Sequence, residues 1–346
     1  MHASTAHRLA LYPLLLQPLF YEKVWGGRAL ERLGKHLPPG QSIGESWELA
    51  DMPVTSASGA GGASARTTIV NGPFAGTTLA DLIRHGRAAL LGQSPLSDEG
   101  GFPLLVKFLD AHENLSVQVH PSPSYALAHK DCKLKTECWY ILDARPDAVI
   151  YKGIKPGITP DQFAKAIHDA TVHHLLIAVP AIPGECHNLP SGTCHALGAG
   201  VLVAEVQTPS DTTFRVYDWG RTGRALHIEQ ALACIDFEPA PAATSFATAR
   251  APGSHTARLV TTPFFTLDQL LLDPGQPHAL TVPGHATALI AIEADLTITS
   301  TSASFEPVKL HRGATALLPA AIAGAAILTA GPRPASVLVA RVTGEC

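Results

Sequence analysis

Residues 103–121 read PLLVKFLDAHENLSVQVHP. Two runs rich in bulky apolar side chains flank a polar turn at residues 112–114, the pattern of two strands and their connection. In the second run Gln118 and His120 stand two apart, so an extended backbone turns both side chains to one face of a sheet. Working outward, Glu137 comes seventeen residues after His120, at the mouth of another extended run, KTECWYIL (135–142). His195 follows much later, where a Pro190-x-Gly192 turn reverses the chain and opens a further strand.

Two imidazoles, a carboxylate and an amide oxygen can close on one divalent cation and leave room for water or substrate. Mixed N/O ligation with an open position is what catalytic zinc sites use. Singly, each piece is a weak signal, since a lone histidine or a Q-x-H pair more often serves packing or the surface. His187 and the His173-His174 pair compete as ligands. The pair closes a helical stretch, where a helix C-terminus favours imidazolium, and is read as structural.

The remainder of the chain also reads as mainly β. Its 28 prolines and 29 glycines favour many turns. Short extended pieces are expected at 13–20, 25–27 and 43–50, then a flexible surface hairpin loop or a local insertion at 56–66, SASGAGGASAR. Residues 78–91 carry apolar side chains at helical spacing, with Thr77 or Thr78 as N-cap. Residues 139–151 predict a hairpin around Arg145-Pro146-Asp147. Thr159-Pro160-Asp161 opens a helix running to about 169, with a shorter helical stretch expected at 171–177. Residues 240–255, rich in Ala, Pro and Ser, suggest a linker. Beyond it, strands at 279–282, 286–292, 296–299, 314–318 and 336–342 predict a second, smaller β-sandwich. The expected division is a first domain over 1–239 and a second over 240–346.

Bulk properties exclude several classes. A net charge of −4 and a pI near 6.5 argue against a nucleic-acid or anionic-membrane surface, so any bound anion sits in a local basic pocket. Six cysteines, at 132, 138, 186, 194, 234 and 346, form no C-x-x-C pair, which excludes a Cys₄ zinc ribbon and fits reduced thiols. The first sixteen residues lack the layout of a signal peptide, and no apolar run is long enough to span a membrane. A cytoplasmic protein is expected. Glu45 and Glu48, three apart on a strand, fall on opposite faces and cannot be a paired-carboxylate glycosidase site. Trp25, Trp47 and Trp139 are read as core or rim.

Four segments together carry a resemblance: IGESWELAD (43–51), PLLVKFLDAHENLSVQVHP (103–121), KTECWYIL (135–142) and GTCHALGAGVLVAEVQTPSDTTFRVYDWGR (192–221). In that order, over roughly residues 13–237, the chain resembles the type I mannose-6-phosphate isomerases of the cupin superfamily, in a compact form. The resemblance implies cupin jelly-roll β-barrels: a metal-binding N-terminal barrel with short helices and a metal-free C-terminal β domain. It implies one zinc ion per chain, with Gln118, His120, Glu137 and His195 as ligands. Glu205 and Arg215 match the family's acidic and basic pair, and Lys107, Ser116 and Lys135 also fall on family positions.

The implied reaction interconverts mannose 6-phosphate and fructose 6-phosphate through an enediol. It needs a base to move a proton between neighbouring carbons, positive charge beside the enediolate, and a cationic pocket for the phosphate. Arg215, Glu205 and Lys135 are the catalytic candidates. Glu205 is the preferred proton carrier, with Lys135 or a histidine as alternatives. Lys107 and Ser116 are the substrate-binding candidates. The expected partner is a small hexose phosphate, with no nucleic acid and no membrane, in a monomer or weak homo-oligomer. Rival readings are another metal-dependent cupin enzyme acting on a sugar phosphate, and a non-catalytic sugar-phosphate-binding cupin.

Overall fold

The computed structural model describes residues 10–56, 60–281 and 284–343. Among them, two antiparallel sheets build the region that carries the four segments. The larger has seven strands in the order Thr244–Ser245, Glu185–Leu189, Glu137–Ala144, Val201–Gln207, Leu105–Ala111, Ile43–Leu49 and Leu19–Gly27. The smaller has five: Leu176–Pro180, Val149–Ile154, His195–Leu197, Val117–Val119 and Phe214–Tyr217. Trp25, Leu109, Trp139, Ile141, Ile150 and Leu197 come from both sheets into one buried cluster, which packs their inner faces together.

The predicted hairpin at 139–151 does not form. Glu137–Ala144 pairs with Glu185–Leu189 and Val201–Gln207, whereas Val149–Ile154 pairs with Leu176–Pro180 and His195–Leu197. The corner at Arg145-Pro146-Asp147, with Asp147 at φ 63°, carries the chain from one sheet to the other. The turn residues were legible, but not which sheet each arm joins.

The C-terminal region repeats the two-sheet arrangement. One sheet runs Thr256–Thr261, Phe265–Leu272, Ala335–Val342, Thr287–Glu293, Thr315–Leu318, Leu14–Gln17 and Thr68–Ile69, and the other contains Pro277–Ala279, Ala326–Ala330, Leu296–Ser300 and Val308–Leu310. The first strand among the described residues, Leu14–Gln17, is therefore seated in a C-terminal sheet, against Thr315–Leu318. Residue 282 of the strand expected at 279–282 lies outside the described residues, as do residues 1–9, 57–59 and Cys346. The segment 240–255 is not a bare linker: Thr244–Ser245 pairs with Glu185–Leu189, and Phe246–Ala249 forms a helical turn capped by Ser245.

Both long helices begin where their caps predict. Thr78 and Asp81 form a reciprocal capping box at the start of Leu79–Leu91, which kinks at Gly86. Thr159 and Gln162 do the same for Pro160–His168. The helical stretch expected at 171–177 is a 3₁₀ turn, Val172–Leu175, that passes straight into the strand Leu176–Pro180. The 56–66 segment is tied down where it is described, because Ser56 and Ala60 donate backbone N–H groups to the Asp211 carboxylate, and Ala65–Arg66 pairs with Asp51–Met52.

Candidate metal centre and substrate cleft

Strand register places two rows of side chains on facing inner surfaces. Across the smaller sheet Lys152 lies beside His195, His195 beside Gln118, and Gln118 beside Arg215. Across the larger sheet the row runs Trp47, Lys107, Glu205, Trp139 and His187. The Pro190–Gly192 turn sets up the first row. Gly192 sits at φ 90°, a left-handed conformation that side chains rarely adopt, and a Cβ there would also crowd Cys234 O at 3.0 Å. Three residues later His195 opens its strand.

His120, Glu137 and His195 converge, with one ligand atom from each lying within 4.8 Å of the others. Glu137 Oε2 is 3.4 Å from His120 Nε2, and Oε1 is 3.2 Å from His195 Nε2. Each imidazole is oriented from behind: Nδ1 of His120 faces Thr212 O at 3.0 Å and Nδ1 of His195 faces Thr193 O at 2.8 Å. With Nδ1–H donated to a carbonyl, each Nε2 keeps its lone pair for the interior, which is how ligating histidines are usually held. With both Nδ1 atoms turned to carbonyls, His120 Nε2 and Glu137 Oε1 are buried acceptors without a hydrogen-bond donor, and Oε2 has only the Lys135 ammonium, a costly arrangement for a group that holds nothing. The residues fit a divalent cation.

Gln118 joins this set, its amide Nε2 3.3 Å from His195 Nε2 and its Oε1 accepting from Ser116 Oγ at 3.4 Å. Lys135 Nζ lies 2.7 Å from Glu137 Oε2. Burial alone raises the Glu137 carboxyl, but Lys135 and the imidazoles outweigh it and hold the group well below the usual carboxylate range. Burial, reinforced by Lys135, pushes His120 down to about 3, so its ring is a neutral donor at ordinary pH.

Beside the cluster, Glu205 is 2% exposed. Its Oε1 is 3.0 Å from Lys107 Nζ and its Oε2 accepts from Trp139 Nε1 at 2.8 Å. Burial, with the like charge of Glu137, raises the Glu205 carboxyl despite Lys107 and Lys135. Lys107 lies over the Trp47 ring, 4.9 Å from its centroid. Arg215 faces the same cleft, which Lys23, Ser116, Lys135 and Arg224 also line. All nine site residues singled out from sequence thus lie in one contiguous region. His187 sits beyond Trp139 in its row, 3.7 Å from Glu185, and His173 stacks against Tyr217, so neither rival ligand joins the cluster.

The sequence reading passed over two features. Trp139 and Trp47 donate to Glu205 and Glu45, the latter at 2.7 Å, so these indoles are polar partners as well as core. Asp218 binds both Arg221 (2.8 Å) and Arg224 (2.8 Å), a buried carboxylate organising two guanidiniums beside Arg215. The spacing of three and six in DWGRTGR was its only signal.

Fold and site together define a cupin-type protein whose inner face carries a His/Glu/His donor set beneath a cationic cleft. Residues 14–136 match the family described as phosphomannose isomerase type I, catalytic domain. Over 313 residues the chain is 34% identical to the mannose-6-phosphate isomerase of Streptococcus mutans, covering 89% of this chain and 92% of that one. The chain belongs to the type I phosphomannose isomerase family. The mannose-6-phosphate isomerase ManA of Bacillus subtilis is 39% identical over 236 residues, 66% of this chain and 70% of that one. A crystal structure of the Bacillus subtilis mannose 6-phosphate isomerase superimposes with a TM-score of 0.80 at 28% identity, covering 95% of this chain and 99% of that one. Among the described residues no helix is long and apolar enough to cross a membrane.

Proposed function

We propose that the chain interconverts D-mannose 6-phosphate and D-fructose 6-phosphate with one zinc ion per chain, held by Gln118, His120, Glu137 and His195. The observation that carries this reading is the buried His120/Glu137/His195 cluster, its ligand atoms facing one another directly beside a protonatable carboxylate and a guanidinium. A half-turn of the Gln118 amide puts its carbonyl oxygen where its NH₂ now faces His195. Bound zinc supplies Lewis acidity toward the substrate oxygens and a template for their placement.

The protein's own groups do the rest. Glu205, raised by burial, takes the proton from the carbon next to the carbonyl and returns it to the neighbouring carbon. Arg215 places its positive charge beside the enediolate oxygen. Lys135 holds Glu137 ionised and adds cationic charge to the cleft. Ser116 hydrogen-bonds Gln118 and lines the cleft, where it meets substrate. Lys107 is committed to Glu205, so it acts on substrate through that carboxylate's position and charge. Arg224, with Arg221 and Asp218 behind it, is an anchor for the phosphate dianion. The division at 239/240, a cytoplasmic location and a monomeric or weakly associating state belong to the same reading.

A coupled assay tests it. Zinc-replete protein is expected to form fructose 6-phosphate from mannose 6-phosphate, to lose turnover on chelation and to regain it when zinc is returned. Binding of mannose 6-phosphate without product contradicts an isomerase and favours a sensor.

A further inference from the structure

Glu205 is flanked on both sides within its row. Lys107 meets Oε1 from one neighbouring strand and the Trp139 indole N–H meets Oε2 from the other. A glutamate's last torsion is broad and roughly two-fold, so a carboxylate held at one oxygen still swings. Held at both, it has one orientation. Lys107 is itself fixed over the Trp47 ring, so the cationic side of this clamp is anchored. The indole side is anchored too: the Trp139 ring meets the His195 ring edge-on, with centroids 5.2 Å apart and planes at 84°. Trp139 is 1% exposed and touches both the carboxylate and one imidazole of the donor set. A buried indole N–H needs a hydrogen-bond partner, and here that partner is the Glu205 carboxylate.

We propose that Trp139 is a positioning residue of the reaction: its N–H fixes the rotation of the Glu205 carboxylate, and its ring sets that carboxylate's spacing from His195. The inference rests on the reading of Glu205 as proton carrier. Misplacement of a reacting group by about 1 Å costs on the order of a hundredfold in rate. Losing the indole donor leaves Lys107 alone to hold the carboxylate, so the loss falls on turnover rather than on substrate binding.

The test replaces Trp139 with Phe and, at the same position, with the benzothienyl isostere of tryptophan, in which sulfur stands for N–H and volume is kept. In zinc-replete protein, kcat is expected to fall about tenfold to a hundredfold, with KM for mannose 6-phosphate and zinc per chain unchanged. The acid limb of the kcat/KM profile moves to higher pH, because the N–H favours the charged carboxylate and its removal raises the Glu205 pKa. In a Glu205→Gln background the isostere adds nothing further. An isostere with wild-type kcat and an unmoved acid limb overturns the proposal, as does a loss of kcat matched by lost zinc or raised KM. Should Trp139→Phe fail to fold, the isostere decides. Glu205→Gln alone separates the two readings. Full turnover in that variant removes Glu205 as proton carrier, whereas an inactive Gln variant with a fully active isostere removes only the role of Trp139.

Discussion

Arg215 is held at one end only. Its Nη1 donates to Ala225 O at 2.9 Å, while its Nε is buried without a partner. Its strand neighbour is Gln118, so the guanidinium stands next to the donor set rather than at the rim. A positive group so placed stabilises charge that develops during reaction. Arg215→Ala is therefore expected to lower kcat by about 10²- to 10³-fold while the melting temperature and zinc content stay near those of the parent. Unchanged kcat reassigns the residue to structure. At this scale much of the site was legible: Gln118 and His120 share a face because a strand's period is two, and the quoted motifs supplied Glu137, His195, Glu205 and Arg215. Trp139 was not, since an apolar ring in a strand reads as core and nothing in sequence shows where its N–H points. Arg224 was missed because arginines in a Gly-containing loop look like solvated surface until Asp218 is found behind them.

The elements that position these residues are short. Val117–Val119 and His195–Leu197 are three-residue strands, each stabilised by pairing with its neighbours rather than by its own propensity. The two long helices were read more faithfully, because their ends are written locally: Thr78 accepts from the Asp81 N–H, and the Asp81 carboxylate accepts from the Thr78 N–H. The shorter Pro123–Ala128 and Ile228–Cys234 went unnoticed. Thr78→Ala is expected to cost about 1 kcal/mol of stability in urea unfolding and leave turnover intact, since the helix lies away from the cleft. A loss of turnover at full stability contradicts that separation. Strand partners are not written locally. The hairpin expected at 139–151 failed because both arms pair elsewhere. Phe265–Leu272 escaped notice because it is buried on both faces for nearly its whole length and shows no clean alternation.

Over the whole molecule, the two regions share one core. A single buried cluster runs from Leu14 and Ile69 through Phe108, Val206 and Phe265 to Leu338. Gln269 Nε2, from the C-terminal region, donates to Tyr140 Oη at 3.0 Å and to Ser336 Oγ at 2.9 Å across that junction. With the first strand also seated in the C-terminal sheet, neither region loses its partner without exposing apolar surface. Unfolding in urea is expected to show one transition, coincident by near- and far-ultraviolet circular dichroism, and two separated transitions contradict a shared core. This union was illegible in sequence, because Leu14–Gln17 and Thr315–Leu318 lie at opposite ends of the chain and carry no mark of each other. The central expectation is that four inner-face side chains from three stretches of chain, at 118–120, 137 and 195, hold one cation. The decisive measurement is anomalous diffraction at the zinc edge, on crystals of zinc-replete protein. One peak per chain is expected, about 2.0–2.2 Å from donor atoms of Gln118, His120, Glu137 and His195. A fully folded, zinc-replete protein with no peak among those residues, or with its zinc bound elsewhere, contradicts it.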